Sequence, residues 1–159
     1  MIRGLRVFTE MISQCEHDVV VRAIDLKFGK RRYERDHWDG VITNFRETEF
    51  QASFPCFERI EELLQSLGAG KLQTPHALDL APNGHIDPHI DSVKFSGSTV
   101  AVLSLVNAAT LRLGPSELRV EPRSLYVLQD EARYDHEHAI LPEGRRLSLI
   151  FRDEVASER

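Results

Sequence analysis

Apolar residues recur at three- and four-residue steps in the first part of the chain, then alternate singly or fall in short blocks in the rest. Phe8, Ile12, Cys15, Val19, Ala23 and Leu26 form one helical stripe, with Thr9 placed to cap it. Phe57, Ile60, Leu64 and Leu67 form a second, opened by Ser53 and stopped by Gly68, Ala69 and Gly70. From Thr74 onward the pattern predicts short strands over residues 74–80, 98–106, 110–113, 117–120, 124–128 and 146–151. Pro82-Asn83-Gly84, Gly97, Gly114-Pro115 and Pro142-Glu143-Gly144 punctuate them. Many short strands at such spacing favour a sandwich or jelly roll over a parallel α/β sheet. The expected fold class is α+β, mainly β, with N-terminal helices packed outside a β core.

The last strand carries a second pattern. Arg146, Ser148, Ile150 and Arg152 share one face of an extended backbone, while Leu147, Leu149 and Phe151 share the other. A polar stripe inside a core-like strand is either an exposed face with two ordinary arginines or the wall of a site.

At 159 residues with 42% apolar content, the chain has the size and composition of one domain. The expected division is one domain over 1–159, with a helical part over 1–72 and a β core over 73–159. The net charge of −5 gives no overall basic footprint for nucleic acid. One dense basic cluster, from Lys27 to Arg35, is read as a solvated face, because Glu34 and Asp36 interleave with it. Cys15 and Cys56 form no metal spacing and are expected to be buried thiols in a reducing compartment. No apolar run reaches the length of a membrane span, and a monomer is expected. Trp38, between His37 and Asp39, is a core or rim anchor, with the mouth of a substrate site as the alternative.

Candidate chemistry concentrates between Ala81 and Asp91, where two H-x-D units stand in tandem, His85 with Asp87 and His89 with Asp91. Side chains two apart in an extended run project to one face, so either pair can reach one ion. A His and an Asp so placed are two thirds of the 2-His-1-carboxylate triad of non-haem iron sites. A distant His completes it, and His136 and His138 would share a face of any strand. Two imidazoles and one carboxylate leave open positions on iron, whereas zinc favours a closed or singly open site.

The ordered set of H-x-D, strand-like sequence, His and then Arg resembles the AlkB family of Fe(II)- and 2-oxoglutarate-dependent dioxygenases. The likeness rests on Pro82 seven residues before His89, on Arg133 ahead of His138 and Ile140, and on Arg146, Ser148 and Arg152 as a closing R-x-[NS]-x-x-x-R. Within the family, the run from His76 to Pro82 and the run from Asp91 to Phe95 are similar to the mitochondrial homologue-seven subgroup. The resemblance implies a double-stranded β-helix, or jelly roll. It selects His89, Asp91 and His138 as metal ligands and leaves His136 outside the set. It assigns Arg146 to the distal carboxylate of 2-oxoglutarate, a role that suits a permanently charged, forked donor. Tyr126, Ser148 and Arg152 complete the co-substrate pocket by the same resemblance. Leu78 and Leu80 stand where the bacterial enzyme has co-substrate ligands, and Ser148 stands where it has Asn.

The implied cofactors are Fe(II), 2-oxoglutarate and O2, and the implied reaction couples decarboxylation of 2-oxoglutarate to oxidation of a C–H bond. On an N-methyl group the net result is demethylation. Few basic residues lie between Gly40 and Pro75, where a lid over an extruded base would be expected. That absence favours a protein or other non-DNA substrate, with no DNA repair role. An RNA (tRNA) N-methyl demethylase and a catalytically inactive jelly-roll binding module are the alternatives. A mitochondrial matrix location follows from the resemblance alone.

Overall fold

The computed structural model describes residues 2–156. Strand β1 (Leu5–Phe8) precedes helix α1 (Gln14–Phe28), and β2 (Glu34–Asp36) with β3 (Ile42–Glu49) forms a hairpin. Helix α2 (Pro55–Ser66) follows, then β4 (His76–His89), β5 (Val100–Leu105), β6 (Ala109–Leu113), β7 (Ser116–Val120) and β8 (Leu125–Leu128). A short helix α3 (Asp130–Tyr134), β9 (His138–Pro142) and β10 (Arg146–Arg152) complete the chain. The strands pair antiparallel in the order β1-β8-β5-β10-β4-β9-β6-β7, with β3 also against β4 and β2 against β3. The result is a curled, mainly β jelly roll with its two longer helices outside, the expected fold class.

Strict alternation in the sheet makes two cores. Leu147, Leu149, Phe151, Leu103, Leu105, Leu125 and Val127 face the helices, where they meet Val20, Ile24, Phe28, Phe57, Ile60 and Leu64. Leu78, Leu80, Val100, Val102, Leu111, Tyr126 and Ile140 face the inside of the roll with Phe45. Burying one such Leu, Ile or Phe side chain contributes roughly 1.5–3 kcal/mol.

Helix α1 differs from expectation in its phase. Its cap is Ser13, whose hydroxyl accepts from the Glu16 amide while the Glu16 carboxylate accepts from the Ser13 amide, so Thr9 lies outside the helix. The buried face is therefore His17, Val20, Ile24 and Phe28, and Cys15, Val19 and Leu26 are exposed. Only Cys56 of the two thiols is buried. Helix α2 starts at Pro55 behind Phe54, not Ser53, because Pro is pre-set for the first helical turn. It ends as expected at Gly68, whose positive φ of 91° lets the Ala69 and Gly68 amides donate back to Leu64 and Gln65.

Strand β4 is longer than its sequence pattern. Its first half pairs with β10 and β3, and its second half pairs with β9 and the start of β3. Between Leu80 and His85 the register on β3 slips, leaving only Asn44, at φ 52°, opposite the run from Ala81 to Gly84. A Cβ on Gly84 would lie 2.5 Å from the Asn44 carbonyl oxygen, so only glycine fits this bend. The bend carries one strand from one half of the roll into the other.

Asp79, fully buried on the helix side of β4, accepts from Arg46 Nε at 2.8 Å, Arg145 Nε at 3.0 Å and Tyr33 Oη at 2.9 Å. Arg145 also donates to Asp25 at 2.6 Å, and Arg46 to the Arg31 carbonyl at 2.8 Å. The segment read as a solvated basic face is thus joined to the sheet through Arg31 and Tyr33.

Candidate active site

The end of β4 and the start of β9 meet with His89 opposite His138, their ring centroids 4.3 Å apart. Asp91, two residues beyond His89, places Oδ1 3.1 Å from His89 Nε2 and 3.5 Å from His138 Nε2. One ligand atom from each of the three residues lies within 4.8 Å of the others. His89 Nδ1 lies 2.9 Å from the Asp87 carbonyl, which orients the ring so that Nε2 faces Asp91 and the site.

The electrostatics suit a cation. Burial opposes ionisation of Asp91, but the His89 hydrogen bond and the Arg152 guanidinium, donating to Oδ2 at 2.8 Å, hold its carboxyl far below the usual range. Burial also opposes charge on His89, and its contacts with Asp91 and the Asp87 carbonyl outweigh that and raise its pKa. In His138 burial dominates, helped by the neighbouring His89, and the pKa falls to about 4. A neutral imidazole is the form that ligates metal.

The other residues singled out in the sequence separate. His136 turns away to Glu131, 2.9 Å from its carboxylate, and its ring stacks over Gly114. His85 and Asp87 pair with each other at 3.3 Å on the exposed side. Trp38 is 86% exposed at the tip of the β2–β3 hairpin, so it is no core anchor. The hairpin lies beside the site, since the Asp87 amide donates to the Val41 carbonyl at 2.9 Å and Ile42 lines the cavity.

Together with His89, Asp91 and His138, Tyr126, Arg146, Ser148 and Arg152 line one cavity, walled by Ile42, Ile86, Val100, Val102, Ile140 and Ile150. Arg146 is 1% exposed, donates from Nη2 to Ser104 Oγ at 2.8 Å and leaves Nε without a partner among the described residues. Burial lowers its pKa and raises that of Tyr126, which sits beside it. Leu80 and Leu78 stand across from Arg146 and Ser148 in the β4–β10 register. Ser104 and Arg133 are the polar residues that sequence reasoning gave no role. Ser104 interrupts an apolar strand at an inward-facing position, a signal that was present.

The donor set fits Fe(II), with two imidazoles and a carboxylate in place. A buried arginine that, among the described residues, has no carboxylate partner fits an anionic co-substrate. No protein-family model matches the chain. Among solved structures, a Pseudomonas putida prolyl-4-hydroxylase superposes with a TM-score of 0.71 at 16% identity, covering 96% of this chain and 93% of that one. A viral collagen prolyl hydroxylase from Paramecium Bursaria Chlorella virus-1, in its 2OG complex, gives 0.74 at 12% identity, covering 97% of each chain. OsALKBH1 gives 0.67 at 14%, covering 96% and 99%. These likenesses place the fold among the 2-oxoglutarate oxygenase jelly rolls.

The sequence narrows the class. The protein named "Alpha-ketoglutarate-dependent dioxygenase alkB homolog 7, mitochondrial" from Bos taurus is 40% identical over 164 residues, covering 89% of this chain and 74% of its own length. Its Mus musculus counterpart is 41% identical over the same span. The chain belongs to the alkB homolog 7 family of alpha-ketoglutarate-dependent dioxygenases. Membership implies Fe(II), 2-oxoglutarate and O2. Among the described residues no helix is long and apolar enough to cross a membrane.

Proposed function

We propose that this dioxygenase oxidises a C–H bond of a protein or other non-DNA substrate in the mitochondrial matrix, with His89, Asp91 and His138 holding Fe(II). Arg146 takes the distal carboxylate of 2-oxoglutarate, and Tyr126, Ser148 and Arg152 orient the co-substrate. The observation that carries this reading is Arg146, a buried cation with, among the described residues, an unpaired Nε and no carboxylate partner. A charge so placed costs several kcal/mol unless a ligand completes it.

Bound iron would supply O2 activation coupled to decarboxylation of the 2-oxo acid. The chain's own part is positional. The Asp87 carbonyl orients the His89 ring, and Arg152 keeps Asp91 ionised and aimed. The isoleucines and valines of the cavity exclude water, which strengthens each charge–charge contact inside it.

The protein reading is supported by the net charge of −5, which gives phosphates no overall complementary field. Trp38 favours a second reading, since an exposed indole can stack on an unpaired base of RNA. The test is succinate formation from 2-oxoglutarate under oxygen with Fe(II). His138→Ala is expected to abolish it and His136→Ala to leave it; equal loss in both would remove the ligand assignment. Formaldehyde release from methylated RNA, with none from protein extracts, would decide for the second reading.

A further inference from the structure

Within the segment that follows Asp91, the Ser96 amide donates to the Ser92 carbonyl at 2.9 Å and the Lys94 amide to Ser92 Oγ at 3.2 Å, which shapes a turn without tying it to the rest of the fold. Val93 and Phe95 are 62% and 65% exposed, so side-chain packing does not fix residues 92–97. Their carbonyls converge instead on one buried side chain. Arg133, on α3, is 2% exposed and donates from Nε to the Gly97 carbonyl at 2.8 Å and from Nη1 to that of Asp91 at 2.9 Å. Its Nη2 reaches the Ser96 carbonyl at 3.0 Å and the Ser92 carbonyl at 3.4 Å. Among the described residues no carboxylate forms an ion pair with it, so four carbonyl dipoles offset the cost of burying the charge.

The outer side of the segment is bound as well. The Gly97 amide donates to the Asp153 carbonyl at 2.9 Å, and Gln73 donates to the Phe95 carbonyl at 2.8 Å. A Cβ on Gly97 would lie 2.4 Å from the Glu154 carbonyl oxygen, so the backbones are in close contact there. The inner bonds all come from a residue that leads through α3 into β9, where His138 is the first residue. One guanidinium therefore links the segment that carries Asp91 to the segment that carries His138.

We infer that Arg133 is a positioning residue for the metal site, fixing the Asp91 main chain and the 92–97 rim relative to His138. The inference rests on the metal-site reading above. It requires the fork of an arginine: a lysine has the charge but no rigid, planar set of five N–H groups to reach four carbonyls.

Arg133→Lys tests it, using Co(II) as the probe. The metal-free variant is expected to keep a cooperative unfolding transition, while Co(II) affinity falls by about 10–100-fold, the range for groups that orient ligands. Tryptic cleavage after the exposed Lys94 should accelerate about tenfold or more as the rim opens locally. A folded variant that binds Co(II) as tightly as wild type, however much its stability falls, overturns the role. Should the variant not fold, wild type alone decides. Lys94 should resist trypsin relative to Lys71, whose side chain is 81% exposed, and equal cutting at both overturns the clamp. Wild type that binds no Co(II) sinks the metal-site reading itself, a result distinct from equal binding by both proteins.

Discussion

The chemistry turns on a few single residues, and Arg146 is the most exposed to test. Removing its charge leaves a carboxylate to be desolvated alone, so Arg146→Met is expected to weaken 2-oxoglutarate binding by about 3–5 kcal/mol. Calorimetric titration checks this, and wild-type affinity would withdraw the assignment. The sequence made this residue readable because β10 alternates strictly. Arg146 and Arg152 fall on the face opposite Leu147, Leu149 and Phe151, and that face points into the roll. The separation of His138 from His136 was not readable by period, since both share a parity. What parts them is that β9 begins at His138, while His136 lies before it and bonds Glu131. Arg133 was visible only as a letter in a motif, for its partners are main-chain carbonyls that leave no trace in composition.

Among the elements, β4 and the β2–β3 hairpin carry the consequences. Gly84→Ala forces a methyl against the Asn44 and Thr43 carbonyls, a clash at the bend that delivers His89. The expected loss is about 1–3 kcal/mol, the cost of overpacking, measured by urea unfolding; no change would mean the bend relaxes freely. At the hairpin, His37 Nε2 lies 2.8 Å from Glu47 and Nδ1 2.7 Å from Asp39. Burial opposes a charge on this ring, yet the two carboxylates outweigh it and raise its pKa above 6.5. The folded pKa being the higher one, this contribution is fully present below about pH 6.5 and lost as pH rises through the raised value. The stability difference between wild type and His37→Gln should therefore be larger at acid than at alkaline pH. A pH-independent difference would show that the ring stays neutral. These elements were hard to read beforehand. Strand β3 is mostly polar, from Arg46 to Glu49, and is a strand because β4 pairs with it, while Asn44 breaks its alternation. In α1 the apolar Ile12 is buried just ahead of Ser13 and drew the predicted stripe out of phase.

For the molecule as a whole, net charge sets the encounter with other macromolecules. A net charge of −5 predicts weak binding to single-stranded DNA and RNA and a shallow dependence on salt. Filter binding across a salt series checks this; tight binding that falls steeply with salt would favour the RNA reading. The spacing of the short strands made a sandwich or jelly roll legible, and the family resemblance chose the jelly roll.

The pairing of β1 with β8 has a different kind of consequence, one of timing. Leu5 aligns with Leu128 and Phe8 with Leu125, so a strand closes against one that is synthesised more than a hundred residues later. Contacts so distant in sequence are slow to form, because the intervening chain must first be brought into a loop. Until Leu125 to Leu128 emerge, β1 has no neighbour, and its unpaired edge is open to another copy of itself. Nascent chains stalled before that point should therefore aggregate through Leu5–Phe8 more readily than the finished chain, in which β8 pairs one edge of that strand.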